Sequence, residues 1–289
     1  MKVTNKLNLP AAFVSAVDNS RHNKEGCISA TTLNKGTKEI ILTDRHFDEL
    51  TEDVSDRIWA LWGTAVHSIF EKQKDSGFKE EFFSVPVLGM TVTGRVDYYD
   101  MEKETVVDWK TASVWKVQYA DFADWEAQGL TYAWLMKQSG LTVRKCRFIA
   151  LLKDHSKSKA KIDASYPQSP VYVYEFSVTD EKLNEIGAKI LHKIADVLEA
   201  EKKNDDEIPA CSESERWASP DKWALMKEGR KTAIKLYDKE EEAEAQMTEK
   251  GLYVEHRGGV SRKCEDYCPC KDFCSFFKTR IAKKTEEKK

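Results

Sequence analysis

The stretch TVTGRVDYYDMEKETVVDWKTAS, residues 91–113, contains two segments rich in β-branched and aromatic residues, separated by a polar turn. Such segments are typical of β-strands that follow one another in a sheet. The two-residue period of a strand places Asp108 and Lys110 on one face, while Val107 and Trp109 point to the other. An acid and an ammonium therefore stand side by side at the end of an apolar strand. Burying such a pair costs stability, so its presence needs a reason.

The segments on both sides of this stretch alternate between helical and strand patterns. Apolar residues at three- and four-residue steps predict an amphipathic helix from Val54 to about Lys74. The other predicted elements are strands at Phe82–Leu88, Thr91–Tyr99, Thr105–Lys110, Cys146–Leu152 and Val171–Val178, and helices at about Ala120–Gln138 and Glu181–Lys202. Gly89 marks a turn between the first two strands. Gly140 fits the C-terminal cap of the helix at about Ala120–Gln138. This order of elements predicts an α/β fold with a mixed sheet flanked by helices.

We expect three parts along the chain. These are an N-terminal segment at 1–53, a core at 54–210, and a small α/β insert with a cysteine-cluster region, packed on the core, at 211–289. The first part shows little periodicity; Ile28–Leu33 resembles the start of a short helix after a loop, and we assign no further element there. In the third part, Pro220 fits the first position of a helix capped by Ser219. The insert is predicted to contain a strand at Ala233–Tyr237, an acidic helix at 238–250 and a strand at Leu252–His256.

Composition excludes several classes of protein. The 289 residues include 46 Lys and Arg against 49 Asp and Glu, with 41% hydrophobic residues, which is typical of a globular chain and excludes a disordered one. No apolar run reaches the length of a membrane helix and the N-terminus lacks a signal-peptide pattern, so we expect a cytoplasmic protein without a membrane partner. The net charge of -3 does not favour nucleic acid, but Lys153, Lys157, Lys159 and Lys161 form a local basic patch.

Four short segments carry candidate chemistry: GTAVH at 63–67, GRVD at 94–97, VVDWKTAS at 106–113 and QGLTY at 128–132. Taken singly, each fits a common structural role, such as a buried histidine, a strand-edge ion pair or a half-buried aromatic. Phosphodiester hydrolysis would give the four segments a common role, because this reaction needs a divalent cation held by hard ligands. Asp97 and Asp108 can supply carboxylates, His67 a nitrogen that favours Mn as well as Mg, and Lys110 a charge for the transition state.

The last segment supports the same site. Gln128 and Tyr132 are four residues apart on a predicted helix and therefore share a face, with Asp124 one turn earlier. We expect these polar side chains to steady the metal ligands or to contact a DNA phosphate.

The order His, G-x-x-D, D-x-K and Q-x-x-x-Y resembles the RecB-like branch of the PD-(D/E)XK nuclease superfamily, over roughly residues 54–180 and the C-terminal cysteines. That family includes the RecB and AddB nuclease domains, CRISPR-associated RecB-like exonucleases and many phage nucleases, and it has a restriction-endonuclease-like core. The resemblance implies that Lys110 is catalytic and that Gln128 and Tyr132 lie near the active site. It also implies that the metal ligands are His67, Asp97 and Asp108.

Seven cysteines are unevenly placed, with Cys264, Cys268, Cys270 and Cys274 inside CEDYCPCKDFC. Thiolates at this density bind zinc or an iron-sulfur cluster, and both fold the local chain. The resemblance implies an iron-sulfur cluster, 4Fe-4S in type, held by one distant cysteine and three near the C-terminus.

The distant ligand is open among three cysteines. We favour Cys211, which with Cys264, Cys268 and Cys274 gives the one-plus-three arrangement that the resemblance implies. Cys270 is the rival ligand, and Cys27 is a third option. Cys146, in the apolar run KCRFIALL, is predicted to be a core residue.

The sequence thus predicts a Mg- or Mn-dependent deoxyribonuclease, an exonuclease of phage or bacterial DNA recombination or processing. The alternatives are a non-catalytic nucleic-acid-binding module with a structural cluster, and a zinc-only adaptor. Since no phosphate-binding GxxxxGK[ST] motif is present, unwinding would fall to a helicase partner, and a single-strand annealing protein is another expected partner. Polarity, strand preference, exo- against endonuclease action and oligomeric state stay open.

Overall fold

The computed structural model describes residues 1–17, 24–74 and 76–286. The chain forms two compact units, Met1–Lys203 and Asn204–Lys289. Among the described residues no helix has both the length and the apolar character needed to cross a membrane.

The first unit contains eight described strands and seven described helices. The strands are β1 Lys2–Thr4, β2 Cys27–Ser29, β3 Thr51–Asp53, β4 Phe78–Val87, β5 Met90–Asp100, β6 Thr105–Ala112, β7 Lys145–Leu152 and β8 Val171–Ser177. The helices are α1 Ala11–Val17, α2 Thr37–Arg45, α3 Ile58–Glu71, α4 Val114–Gln118, α5 Ala123–Gln138, α6 Lys157–Ile162 and α7 Asp180–Ala200. Single turns of 3-10 helix lie at Thr32–Asn34 and Val54–Arg57.

The main sheet has six strands and is mixed, in the order β2-β5-β6-β7-β8 with β4 also on β5. One edge of β5 pairs with β4 along Met90–Tyr99 except at Asp97, whereas the other edge pairs with β2 at Thr91–Thr93 and with β6 at Tyr98–Asp100. On this second edge, β5 has no strand beside it at Gly94–Asp97, between the residues that pair with β2 and those that pair with β6. This gap in the ladder is where the candidate site forms.

Helix α5 lies against β4, β5, β6 and β7 and is buried on most of its surface, which explains its weak amphipathic pattern. Gly94 lets it approach, because a Cβ there would come within 2.7 Å of Leu135 and 3.0 Å of Tyr132. Helix α7 contacts α5 through a stripe of apolar residues at helical spacing, and the side chain of Thr179 caps its N-terminus by accepting a hydrogen bond from the Lys182 amide.

The second unit contains a three-stranded antiparallel sheet, ordered β10-β9-β11, with a short helix against it. Its elements are β9 Lys222–Lys227, β10 Lys235–Tyr237, α8 Glu240–Glu244, β11 Leu252–Arg257, a π-helical turn at Lys263–Tyr267, a 3-10 turn at Lys271–Phe273 and α9 Ser275–Glu286.

The predicted mixed α/β fold is confirmed, and the elements that were predicted between α3 and α7 agree with the structure to within a few residues. The short helices α4 and α6 lie where no element was predicted. Three local predictions are wrong. The helix expected after Pro220 is the strand β9, the acidic helix covers only Glu240–Glu244, and Ile28 belongs to a strand. The N-terminal segment, for which only a short helix was expected, supplies β2 of the main sheet.

Candidate active site

The site lies where β5 and β6 stop pairing. Their last paired residues are Tyr98 and Val107, so Asp97 and Asp108 come next on the two diverging strands. The Asp97 carboxylate then takes the place of the missing ladder partner, because its Oδ2 accepts the Trp109 N–H at 2.8 Å. The divergence frees both acidic side chains from the sheet and directs them to one region.

His67 reaches this region from helix α3. Its Nε2 lies 2.9 Å from the carbonyl oxygen of Trp109. Since a carbonyl only accepts hydrogen bonds, Nε2 carries a proton, and Nδ1 faces Asp97 Oδ1 at 3.3 Å. A backbone carbonyl that fixes the ring in this way is the usual support of a metal-binding histidine.

Glu80 is a site residue that the sequence motifs do not contain. Its Oε1 lies 4.0 Å from His67 Nδ1, and ligand atoms of His67, Glu80 and Asp97 all lie within 4.8 Å of one another. Glu80 stands opposite Asp97 in the β4–β5 hairpin, between the pairs Lys79–Tyr98 and Glu81–Val96. Its φ of 51° departs from strand geometry, a strained conformation of the kind that concentrates at functional sites.

Asp108 and Lys110 form a second group beside the first. The side chain of Asp108 is 2% exposed, and its Oδ2 lies 2.7 Å from Lys110 Nζ. That contact lacks the angles of a hydrogen bond, so the buried oxygen keeps an unused acceptor. The ammonium of Lys110 donates instead to Gln128 Oε1 at 2.8 Å.

Gln128 and Tyr132 hold this second group from helix α5. The Gln128 amide nitrogen donates to the Tyr132 hydroxyl at 2.7 Å and lies 3.4 Å from Asp108 Oδ1. Both side chains are buried, so they fix Asp108 and Lys110 and do not offer a solvent-facing surface. Asp124 does not join them, because its carboxylate accepts from Lys116 Nζ at 2.6 Å.

Electrostatics indicate that the arrangement suits a cation. Burial, reinforced by the charge of Asp97, raises the pKa of both Asp108 and Glu80. The hydrogen bond from the His67 ring to Asp97 raises the pKa of His67. The carboxylates are crowded around one imidazole, and a divalent cation would relieve the repulsion between them. The donor set therefore fits an oxygen-preferring ion with one nitrogen ligand.

A cavity of about 450 Å³ opens beside this ligand set. Glu80 and Asp97 lie on its wall with the aromatic rings of Phe70 and Trp109, which stack at 4.4 Å. The acids can therefore be reached from outside, although Asp108 itself is buried.

The predicted cluster cysteines are gathered in the second unit. Burial and the neighbouring thiols of Cys268, Cys211 and Cys274 raise the pKa of Cys264 to about 11. Cys270 is buried, and its sulfur lies 3.6 Å from that of Cys268.

Hydrogen bonds hold the chain around Cys211 and Cys264 together. Arg216 Nε donates to the Cys211 carbonyl at 2.8 Å, and its Nη1 donates to the buried Ser261 hydroxyl at 3.0 Å. The Lys263 amide donates to the Arg216 carbonyl at 3.1 Å. The two segments that carry Cys211 and Cys264 are therefore neighbours by backbone as well as by sulfur.

The other two cysteines belong to the first unit. Cys27 lies in β2. Cys146 is fully buried in β7, which confirms it as a core residue.

Fold and site together define an α/β protein with a candidate divalent-metal centre in a gap of its sheet. No protein-family model matches the sequence, and no curated protein does. Among solved structures, one titled SSO0001 is 16% identical, with a TM-score of 0.46 over 65% of this chain and 83% of its own.

Two other similar structures bear descriptive titles. The alkaline exonuclease of Laribacter hongkongensis is 11% identical, with a TM-score of 0.39 over 67% of this chain and 95% of its own. The phage-related exonuclease of Haemophilus somnus is 15% identical, with a TM-score of 0.30 over 58% and 75%. All three TM-scores lie below 0.5.

Proposed function

We propose that this protein is a divalent-metal-dependent deoxyribonuclease of the RecB-like PD-(D/E)XK type. The observation that carries the proposal is the convergence of His67, Glu80 and Asp97 ligand atoms within 4.8 Å, beside the buried Asp108–Lys110 pair. A histidine, several carboxylates and a lysine are the groups that metal-assisted phosphodiester hydrolysis requires.

Each side chain has a distinct role in this proposal. His67 Nδ1, Asp97, Asp108 and Glu80 hold the cation, which when bound neutralises phosphate charge and makes water a better nucleophile. Lys110 places its ammonium where charge develops on the phosphate and the attacking oxygen. Gln128 keeps that ammonium in place through its 2.8 Å hydrogen bond, and Tyr132 holds the Gln128 amide, so both are positioning residues.

The test is cleavage of end-labelled linear DNA and closed circular DNA with Mg or Mn, with and without a chelator. We expect cleavage of the linear form alone, which is the exonuclease outcome. Asp108→Asn and Lys110→Ala should each lower the rate by roughly 10²-fold or more, because a preorganised charge at the transition state is lost. Asp124→Asn is the matched control, since Asp124 pairs with Lys116 outside the network.

Metal binding gives a readout independent of turnover. Lys110→Ala should keep Mn²⁺ binding measured by calorimetry, whereas His67→Ala should weaken it, because only the second change removes a ligand. Wild-type cleavage by folded Asp108→Asn or Lys110→Ala protein would overturn the assignment. Cleavage of circular DNA would remove the exonuclease part alone.

We further propose that Cys211, Cys264, Cys268 and Cys274 hold a structural iron-sulfur cluster. Two features support it. Hydrogen bonds join the Cys211 and Cys264 segments, and burial together with the neighbouring thiols raises the pKa of Cys264. A cationic cluster would keep those thiols ionised and so relieve the crowding. The choice of iron over zinc follows from the resemblance to RecB-like nucleases.

We place the enzyme in phage or bacterial DNA recombination or processing. A helicase or a single-strand annealing protein is the proposed partner.

A further inference from the structure

Helix α3, which carries His67, leaves large apolar side chains uncovered. Trp59 and Trp62 are 52% and 46% exposed, and Ile69 is 59% exposed. The two tryptophan rings are nearly parallel, with centroids 6.0 Å apart and planes inclined by 20°. A pair of flat, exposed rings on a helix of the active site is a surface that favours a planar ligand.

A lysine completes this surface. Lys153 Nζ lies 3.7 Å from the centre of the Trp59 ring, a close cation–π contact. Lys153 directly follows β7, and its amide donates to the carbonyl of Ala112 at the end of β6. The aromatic pair therefore stands just past the strand end that carries Lys110.

Helix α3 connects the rings to the candidate metal ligands. Trp59 precedes His67 by two turns of the helix, which is about 12 Å at a rise of 1.5 Å per residue. Around the helix axis Trp59 lies about 80° and Trp62 about 140° from His67, so a strand that runs along the His67 face toward the N-terminus of α3 would meet the Trp59 ring more directly than the Trp62 ring.

The charge around the rings suits a phosphate backbone. Helix α6 follows Lys153 and exposes Lys157, Lys159 and Lys161. The nearby acid Asp154 is already engaged, since its carboxylate accepts from the Ser113 hydroxyl at 2.6 Å and from the Val114 amide at 2.7 Å. Lysines beside stacked aromatic rings are the combination that binds single-stranded nucleic acid.

We propose that Trp59 and Trp62 form a base-stacking platform for a single-stranded segment of the DNA substrate, with Lys153 binding its phosphate. The inference rests on the proposed function and names the substrate class of that site. Duplex bases are already stacked on one another, so only unpaired bases can use the rings. The platform therefore favours DNA ends with single-stranded tails over blunt duplex.

Binding of labelled oligonucleotides tests the platform, in calcium and with the Asp108→Asn change present to prevent cleavage. Trp59→Leu and Trp62→Leu should each weaken single-strand binding by about tenfold or more, because each removes a stacking partner. Trp59→Phe and Trp62→Phe should retain most of the affinity, and blunt-duplex binding should change little in all four.

Salt dependence tests the lysine separately. Lys153→Gln should reduce the slope of log affinity against log salt by about 0.7, the value for one phosphate contact on a single strand. Lys145→Gln is the matched control at the opposite end of β7, where Lys145 pairs with Glu175, and it should leave the slope unchanged.

The outcomes separate the platform from the nuclease. Unchanged single-strand affinity in both Leu variants would overturn the platform even if DNA cleavage is confirmed. If the Leu variants lose single-strand affinity but the wild-type protein cleaves no DNA with either metal, the platform would be supported and the proposed function overturned. A change of oligomeric state in the double Leu variant, with DNA binding intact, would make the face an interface between copies and overturn the proposal.

Discussion

At the scale of single residues, Glu80 is the candidate metal ligand that the sequence motifs do not contain. Its Oε1 lies 4.0 Å from His67 Nδ1, and ligand atoms of His67, Glu80 and Asp97 lie within 4.8 Å of one another. Burial and the charge of Asp97 raise the pKa of Glu80, while the neighbouring His67 and Arg95 act to lower it, and a bound divalent cation would favour the charged carboxylate further. We therefore propose Glu80 as a ligand, which gives the first prediction.

Glu80→Gln should weaken Mn²⁺ binding by about tenfold to a hundredfold, because an amide keeps the shape and removes the charge. Calorimetric titration with Mn²⁺ measures this directly. Thermal stability without metal should be equal or higher, since a crowded carboxylate is gone.

Glu81→Gln is the matched control, because Glu81 is the next residue of β4 and is exposed. It should bind Mn²⁺ as the wild type does. Equal loss in both variants would mean that Glu80 acts only through the net charge of the strand.

At the scale of elements, one hairpin decides where the acids lie. Leu88 and Gly89 both have positive φ, 50° and 91°, which is the type I′ turn that suits a two-residue hairpin loop. Counting outward from that turn puts residue 80 opposite Asp97. The turn at Leu88 and Gly89 therefore fixes the register of the hairpin, and the register places Glu80 beside Asp97.

Close contact between α5 and β5 gives the prediction at the element scale. Gly94→Ala should lower the free energy of unfolding by about 1 to 3 kcal/mol, because its Cβ would press on Leu135 and Tyr132. Cleavage should fall with stability, since Tyr132 holds the Gln128 amide beside Lys110.

Denaturant unfolding measures the effect, and Gly258→Ala is the control at a glycine with open space around it. A neutral result for Gly94→Ala would show that helix α5 moves freely relative to the sheet, and that the G-x-x-D glycine has no packing role.

Local patterns predicted the elements of the first unit well and those of the second unit less well. Helix α3 and strand β6 follow from apolar spacing that each segment carries within itself. Strand β9 does not, because Ser219 and Pro220 resemble a helix start and its partners in β11 are far along the chain. Pairing between distant segments overrides local preference, and no single segment records it.

The site shows the same limit. His67, Asp97, Asp108 and Lys110 are recognisable because their spacing repeats a familiar order, and the structure brings them together. Glu80 lies in the segment FKEEFF, where nothing in the sequence distinguishes it from the adjacent Glu81. Its role depends on a cross-strand register and on a φ of 51°, neither of which a linear motif contains.

At the scale of the whole molecule, the second unit needs a reason for its cohesion. Its sheet is small, and short domains with few buried side chains often depend on a metal. The cysteines lie at both ends of the β9–β11 segment, so a cluster on Cys211 and the C-terminal cysteines would close that segment into a loop. A structural metal site of this kind would raise the free energy of unfolding of the second unit by an amount on the order of several kcal/mol.

Anaerobically purified protein should therefore be brown, with iron and acid-labile sulfide in similar amounts. Cys211→Ser should lose most of the iron and make the chain between Cys211 and Cys264 sensitive to protease, because the loop is no longer closed. Cys27→Ser is the control from the first unit and should keep full iron content.

Full iron in Cys211→Ser with loss in Cys270→Ser would transfer the fourth ligand to Cys270, whose sulfur lies 3.6 Å from that of Cys268. Colourless protein with stoichiometric zinc would overturn the assignment of iron. The proposal that a metal closes the loop would still stand in that case, and the protease result would test it.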